Sequence, residues 1–169
     1  MPAAASISRR QLLKGRPIPP PFAPRPPGVT EISIDACTGC GECLGACPER
    51  ILAVEGGRVV LVAGQGECIF CGKCADACPE PVFGEARVMA HHAEIGGDCL
   101  AALGVTCMTC RDVCPESAIS MRPRIGGPFL PGLDAAACSG CGACLGACPS
   151  AAIALVAGAV LPVEASYEG

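Results

Sequence analysis

Apolar residues along this chain fall in short runs set between cysteine-rich loops. The runs are ISI (32–34), ILAV (51–54) with RVVLV (58–62) across Glu55-Gly56-Gly57, RVMAHHAEI (87–95), AISM (118–121) and AIALVAGAVLPV (152–163). Runs this short suit strands, and the glycine-rich joints suit hairpin turns. A proline follows the last cysteine of each loop (Pro48, Pro79, Pro115, Pro149), and proline is well placed at the first position of a helix. Glu49, Glu80 and Glu116 then stand where a helix dipole favours an acid. The predicted order is strand, cysteine loop, short helix, hairpin, second loop, second helix, strand, and then the whole again, an α+β class. The joint falls near Ile95 to Gly97. Gly15 to Gly28 contains seven prolines and reads as an extended linker. The chain therefore divides into a basic, Pro-rich flexible arm (1–28), a first module (29–96) and a second (97–169).

The loops repeat one spacing. CTGCGECLGACP (Cys37 to Pro48) and CSGCGACLGACP (Cys138 to Pro149) agree at ten of twelve positions, and CIFCGKCADACP (Cys68 to Pro79) keeps the same intervals. CLAALGVTCMTCRDVCP (Cys99 to Pro115) stretches the first gap to seven residues, and all sixteen cysteines lie in these four units. Sulfurs at C-x2-C-x2-C steps return to a common centre, and this run followed by C-P is the bacterial signature of [4Fe–4S] binding, with the fourth cysteine serving the neighbouring cluster. Zinc sites use separated C-x2-C knuckles, and a disulfide framework gives no reason for four copies of one spacing. Two tandem bacterial-ferredoxin-like modules holding four [4Fe–4S] clusters are expected.

With adjacent motifs exchanging their fourth ligand, one set is Cys37, Cys40, Cys43 and Cys78, and its partner is Cys68, Cys71, Cys74 and Cys47. The second module gives Cys99, Cys107, Cys110 and Cys148, then Cys138, Cys141, Cys144 and Cys114. A nested scheme, first motif with fourth and second with third, uses the same sixteen residues. The alternative at the third motif is a three-cysteine site holding [3Fe–4S] with Cys99 idle.

Composition sharpens this picture. Sixteen cysteines in 169 residues, with no Trp, one Tyr and four Phe, make metal cross-links and not aromatic packing the expected support of the fold. The stretch nearest to a membrane span, Ala151 to Val163, is thirteen residues long and contains Gly158 and Pro162, too short to cross a membrane. Residues 1–28 carry five basic and no acidic residues, while the remainder carries seven basic against sixteen acidic. An acidic body argues against nucleic acid as a partner. No nucleophile with a base, phosphate loop or dinucleotide fingerprint is present, so no enzyme activity is expected. His91-His92 reads as an exposed or edge-strand pair, with metal ligation the less favoured alternative.

The arm opens with SRRQLLKG, which looks like a twin-arginine export consensus. A working export signal requires an apolar stretch of 7 to 15 residues after the basic region. Here Gly15-Arg16-Pro17-Ile18-Pro19-Pro20-Pro21 follows instead, so retention in the cytoplasm is expected. Arg9, Arg10, Leu12, Leu13 and Lys14 remain candidates for docking a partner protein. SRRQLLKG, the proline-rich linker, the opened GDCLAALGVTCMTCRDVCP and the AISMRP after it together resemble the NapF-type ferredoxins of periplasmic nitrate reductase systems. That resemblance implies a cytoplasmic accessory protein that contacts the catalytic subunit of the reductase before export and helps its iron–sulfur centre mature. It also implies an uncleaved arm and sixteen cysteine ligands. The alternative is a polyferredoxin passing electrons to a reductase or another redox protein.

Overall fold

The computed structural model describes residues 22–85 and 88–158. Arg9, Arg10, Leu12, Leu13 and Lys14 lie outside the described residues. The elements in chain order are α1 (Glu42–Ala46), β1 (Leu52–Glu55), β2 (Arg58–Leu61), α2 (Lys73–Asp76), β3 (His91–Ile95), α3 (Thr109–Asp112), β4 (Ile119–Arg122), β5 (Leu130–Leu133), α4 (Ala143–Ala147) and β6 (Ile153–Ala157), preceded by a 3-10 turn at Ser33–Ala36.

Each helix lies between the second and fourth cysteines of its motif, not after the Cys-Pro step as expected. A residue before proline is sterically disfavoured in the helical region. Cys47 (φ −75°, ψ 113°) and Cys148 (φ −76°, ψ 111°) accordingly turn extended and stop α1 and α4. After the prolines the chain turns sharply, reaching positive φ at Arg50, Ser117 and Ala151.

Three two-stranded antiparallel sheets follow: β1 with β2, β4 with β5, and β3 with β6. The first is the expected hairpin, turned by Gly56 and Gly57 at φ 57° and 78°. β5, whose LPGL reads as a turn by composition, pairs Pro131 opposite Met121; a strand with a single neighbour tolerates proline. ISI (32–34) contributes to the 3-10 turn and forms no strand. Thr30 and Ser33 satisfy each other's amides there, Thr30 N–H to Ser33 Oγ and Ser33 N–H to Thr30 Oγ1, both at 3.0 Å, and such local bonds compete with strand pairing.

β3 pairs with β6 over His91↔Ala157 to Ile95↔Ile153, so this strand closes the sheet of the second half, although it precedes the joint placed at 95–97. The first half is closed by the end of the proline-rich segment. The Pro24 carbonyl accepts from Leu61 N–H at 2.8 Å, Gly28 N–H donates to Val88 O at 3.0 Å, and Pro26 is fully buried. Phe22–Gly28 thus belongs to the body, against the expectation that the arm extends to residue 28.

Each half has a small core into which cysteines are packed. Val29, Ile34, Cys43, Val59 and Val82 form the first; Ala93, Cys110, Ile119, Cys144 and Ile153 form the second. A third, Ile51, Leu61, Met89 and Leu155, joins the halves. Among the described residues, no helix is long and apolar enough to cross a membrane.

Candidate iron–sulfur centres

α1 packs on α2 and α3 on α4, which brings the first motif to the second and the third to the fourth. The cysteines follow. Cys37, Cys40, Cys43 and Cys78 line one cavity, together with Gly39, Gly41 and Val59. Cys47, Cys68, Cys71 and Cys74 line another, of about 140 Å³. Cys114, Cys138, Cys141 and Cys144 line a third. In each, the odd cysteine is the fourth of the adjacent motif, the geometry of the adjacent order and not of the nested one. Cys99 and Cys107 stand within electrostatic reach of Cys110, and Cys148 is the cysteine left over.

All sixteen thiols are free. Among the described residues no group of three or more Cys, His, Asp or Glu is arranged to hold a single metal ion. The sulfurs ring their cavities instead of converging on one point, where thiolates must stand about 2.3 Å from a zinc ion. The donor set, three thiols from one loop and one from its neighbour around a walled cavity, fits a cubane cluster.

The loop backbones are shaped for this. Gly39, at φ +72°, brings its α-carbon so close to Gly57 that an added Cβ stands 2.9 Å from the Gly57 carbonyl oxygen. Gly140, at φ +77°, does the same in the second half, where a Cβ stands 2.6 Å from His91 O. A side chain at either position displaces the loop carrying its cysteines. The shared Cys-x-Gly-Cys of the first and fourth motifs is the sequence signal of these glycines.

His91 lies on an edge strand, one of the two placements expected of it, but is not exposed. It is buried, and its Nε2–H donates to the Gly140 carbonyl at 3.2 Å. Burial lowers its pKa, so the neutral ring is favoured. The Phe22 ring meets it edge-on with centroids 5.9 Å apart. His91 therefore steadies the fourth motif's loop, a role that depends on β3 pairing with β6 and has no local sequence signature.

The electrostatics ask for cations. Burial, then the Cys78 and Cys37 thiolates, pushes the Cys43 thiol up to about 11. Burial pushes Cys68 up to about 11, and Cys144, with Cys138 and Cys141 adding to burial, up to about 12. Thiols this reluctant to ionise together lose their protons when a metal takes them up. Cys148 departs from the rest. Burial pushes it up, but the Ser150 hydroxyl and the amides of Ala152, Ser150 and Ala151 outweigh this and hold it below the ordinary thiol value.

Two family models, each described as a 4Fe-4S dicluster domain, match residues 30–79 and 105–152. The second match begins after Cys99, in the opened loop. The ferredoxin-type protein NapF of Escherichia coli (strain K12) is 39% identical over 151 residues, covering 86% of this chain and 92% of that protein. This chain belongs to the NapF-type ferredoxins. The NapF of Haemophilus influenzae is 40% identical over 136 residues, covering 78% and 77% respectively. The methylamine utilization ferredoxin-type protein MauM of Methylobacillus flagellatus is 31% identical over 167 residues, covering 82% of this chain and 69% of that protein. As a NapF-type ferredoxin with two dicluster domains, the protein is a [4Fe–4S] protein, and its short helices and strands serve chiefly to position cysteine loops.

Proposed function

We propose that this NapF-type ferredoxin is a cytoplasmic accessory protein that assists maturation of the catalytic subunit of a periplasmic nitrate reductase before export, by supplying clusters or reducing equivalents. Four [4Fe–4S] clusters are held by the adjacent sets: Cys37, Cys40, Cys43 and Cys78; Cys68, Cys71, Cys74 and Cys47; Cys99, Cys107, Cys110 and Cys148; Cys138, Cys141, Cys144 and Cys114. A bound cluster accepts and releases one electron at a time. The chain's own part is to hold the sulfurs in place, wall them with Val59, Val82 and Ile119, and keep the loops from shifting. A reducing cytoplasm suits sixteen thiolates.

The observation that carries the maturation reading is the uneven charge of the chain. Four basic and no acidic residues in the first twenty-one, against eight basic and sixteen acidic in the rest, put a cationic docking segment on an acidic body. Electron transfer has no need of such a segment, whereas capture of an immature enzyme does. The test is capture of the reductase subunit from anaerobic extracts, with the arm intact and with Arg9→Ala plus Arg10→Ala. The expected result is capture weakened severalfold with iron content unchanged. Undiminished capture removes the arm from the mechanism.

A second reading, electron carriage to a reductase, is favoured by one contact. Cys68 N–H donates to the Cys141 carbonyl at 2.8 Å, so the second and fourth cysteine loops abut across the junction of the halves. Leu155 from the second half packs among Ile51, Leu61 and Met89 beside it. Capture that survives loss of the arm, together with rapid reduction of mature reductase by the loaded protein, favours this reading.

A further inference from the structure

We infer that Ser150 and Thr109 make the third site the one of highest reduction potential in the molecule, by donating hydrogen bonds to its sulfurs where the other sites carry a carboxylate. The inference rests on the ligand sets proposed above.

The residue after each Cys-Pro step is Glu49, Glu80, Glu116 or Ser150. Glu80 lines the cavity of the first set, Glu49 that of the second and Glu116 that of the fourth. An electron added to a cluster adds negative charge, and a neighbouring carboxylate opposes it. Cys148, assigned to the third set, is followed by Ser150, whose Oγ lies 3.6 Å from Cys148 Sγ. A thiolate ligand has no proton to give, so the hydroxyl is the donor. Ala152 N–H also donates to Cys148 Sγ, at 3.4 Å.

The same replacement occurs on the other side of the site. Two residues beyond the second cysteine of each motif stand Glu42, Lys73, Thr109 and Ala143. Thr109 Oγ1 lies 3.6 Å from Cys107 Sγ, so two hydroxyls, those of Ser150 and Thr109, donate to sulfurs of the third set. Ser139, buried beside Cys141, gives the fourth set one hydroxyl donor, but Glu116 lines the same cavity. Donors to sulfur stabilise the reduced state and raise the potential.

Other charges do not reverse the order. Arg111, next to Cys110, is paired with Asp112 at 2.7 Å and adds no net charge. Lys73 and Glu49 at the second set are both exposed and offset each other, so that set differs from the third in lacking a hydroxyl donor of this kind. The exposed Asp98 before Cys99 has its counterpart in the exposed Glu67 before Cys68.

The test is an anaerobic redox titration of the iron-loaded full chain, with dithionite as the reductant, followed by electron paramagnetic resonance. In Ser150→Ala and in Thr109→Val the first-reduced step is expected to move to lower potential. At a fixed poise its oxidised-to-reduced ratio rises about threefold to tenfold, tenfold corresponding to ~59 mV for one electron. Ser150→Glu is expected to move it further, with the remaining steps in place. Cys99→Ser must perturb the same first step, which assigns it to the third set. With full iron loading, an unmoved first step in Ser150→Ala and Thr109→Val, or movement of a different step, overturns the inference. Iron loss in either variant also overturns it, since the hydroxyl then retains the cluster instead of tuning it. Failure of the ligand sets themselves shows separately, as wild-type protein carrying fewer than four clusters.

Discussion

Chelation of iron from anaerobically prepared protein is expected to abolish its cooperative unfolding transition. The helices are four or five residues long and each sheet has two strands, sizes at which neither element is stable alone in water. The cores are small and include the metal-site residues: Cys43 is buried in the first and Cys110 and Cys144 in the second, with Cys37, Cys74, Cys78, Cys114, Cys138 and Cys148 packed against them. Removing iron takes away the cross-links and leaves buried thiols that repel one another once ionised, so binding free energy and folding free energy are largely the same quantity here. Circular dichroism and thermal melting of the apo and loaded forms read the effect. A native spectrum and a sharp transition in the apo form contradict it.

The next largest effect is expected at the opened third motif. Cys99 is held by a loop that closes on itself: Leu103 N–H donates to Cys99 O at 3.0 Å and Val105 N–H to Leu100 O at 2.8 Å. This fixed turn returns the chain to Cys107 and keeps Cys99 near Cys110 despite the longer gap. Cys99→Ser is therefore expected to convert one cubane to a three-iron form, with a new electron paramagnetic resonance signal in the oxidised protein. Cys138→Ala is expected to cost more, because Cys138 is packed against the second core and its loss opens that core as well. An unchanged spectrum and iron content in Cys99→Ser make Cys99 idle.

Spacing was the most legible feature of the sequence, because ligand geometry is local: four cysteine units and the Gly56-Gly57 hairpin were plain from adjacent residues. Features that depend on distant contacts were not. The choice between adjacent and nested motifs is made by packing of α1 on α2 and α3 on α4. Proline-rich composition concealed the docking of Phe22–Gly28, since proline lacks an amide donor but keeps its carbonyl, and Pro24 uses it toward Leu61. The Cys-Pro steps indicated helices, but steric conflict before proline ends a helix there and the helices lie one turn earlier. The burial of His91 on its edge strand depends on pairing with β6 and on the Gly140 carbonyl, neither of them near in sequence. The substitution of Ser150 for the glutamates at 49, 80 and 116 was visible in the sequence, but its direction toward Cys148 was not.

Whether sixteen cysteines hold four cubanes is decided by iron and acid-labile sulfide analysis of protein prepared without oxygen. About sixteen of each per chain are expected. About eight of each, or zinc in stoichiometric amount, contradicts that expectation.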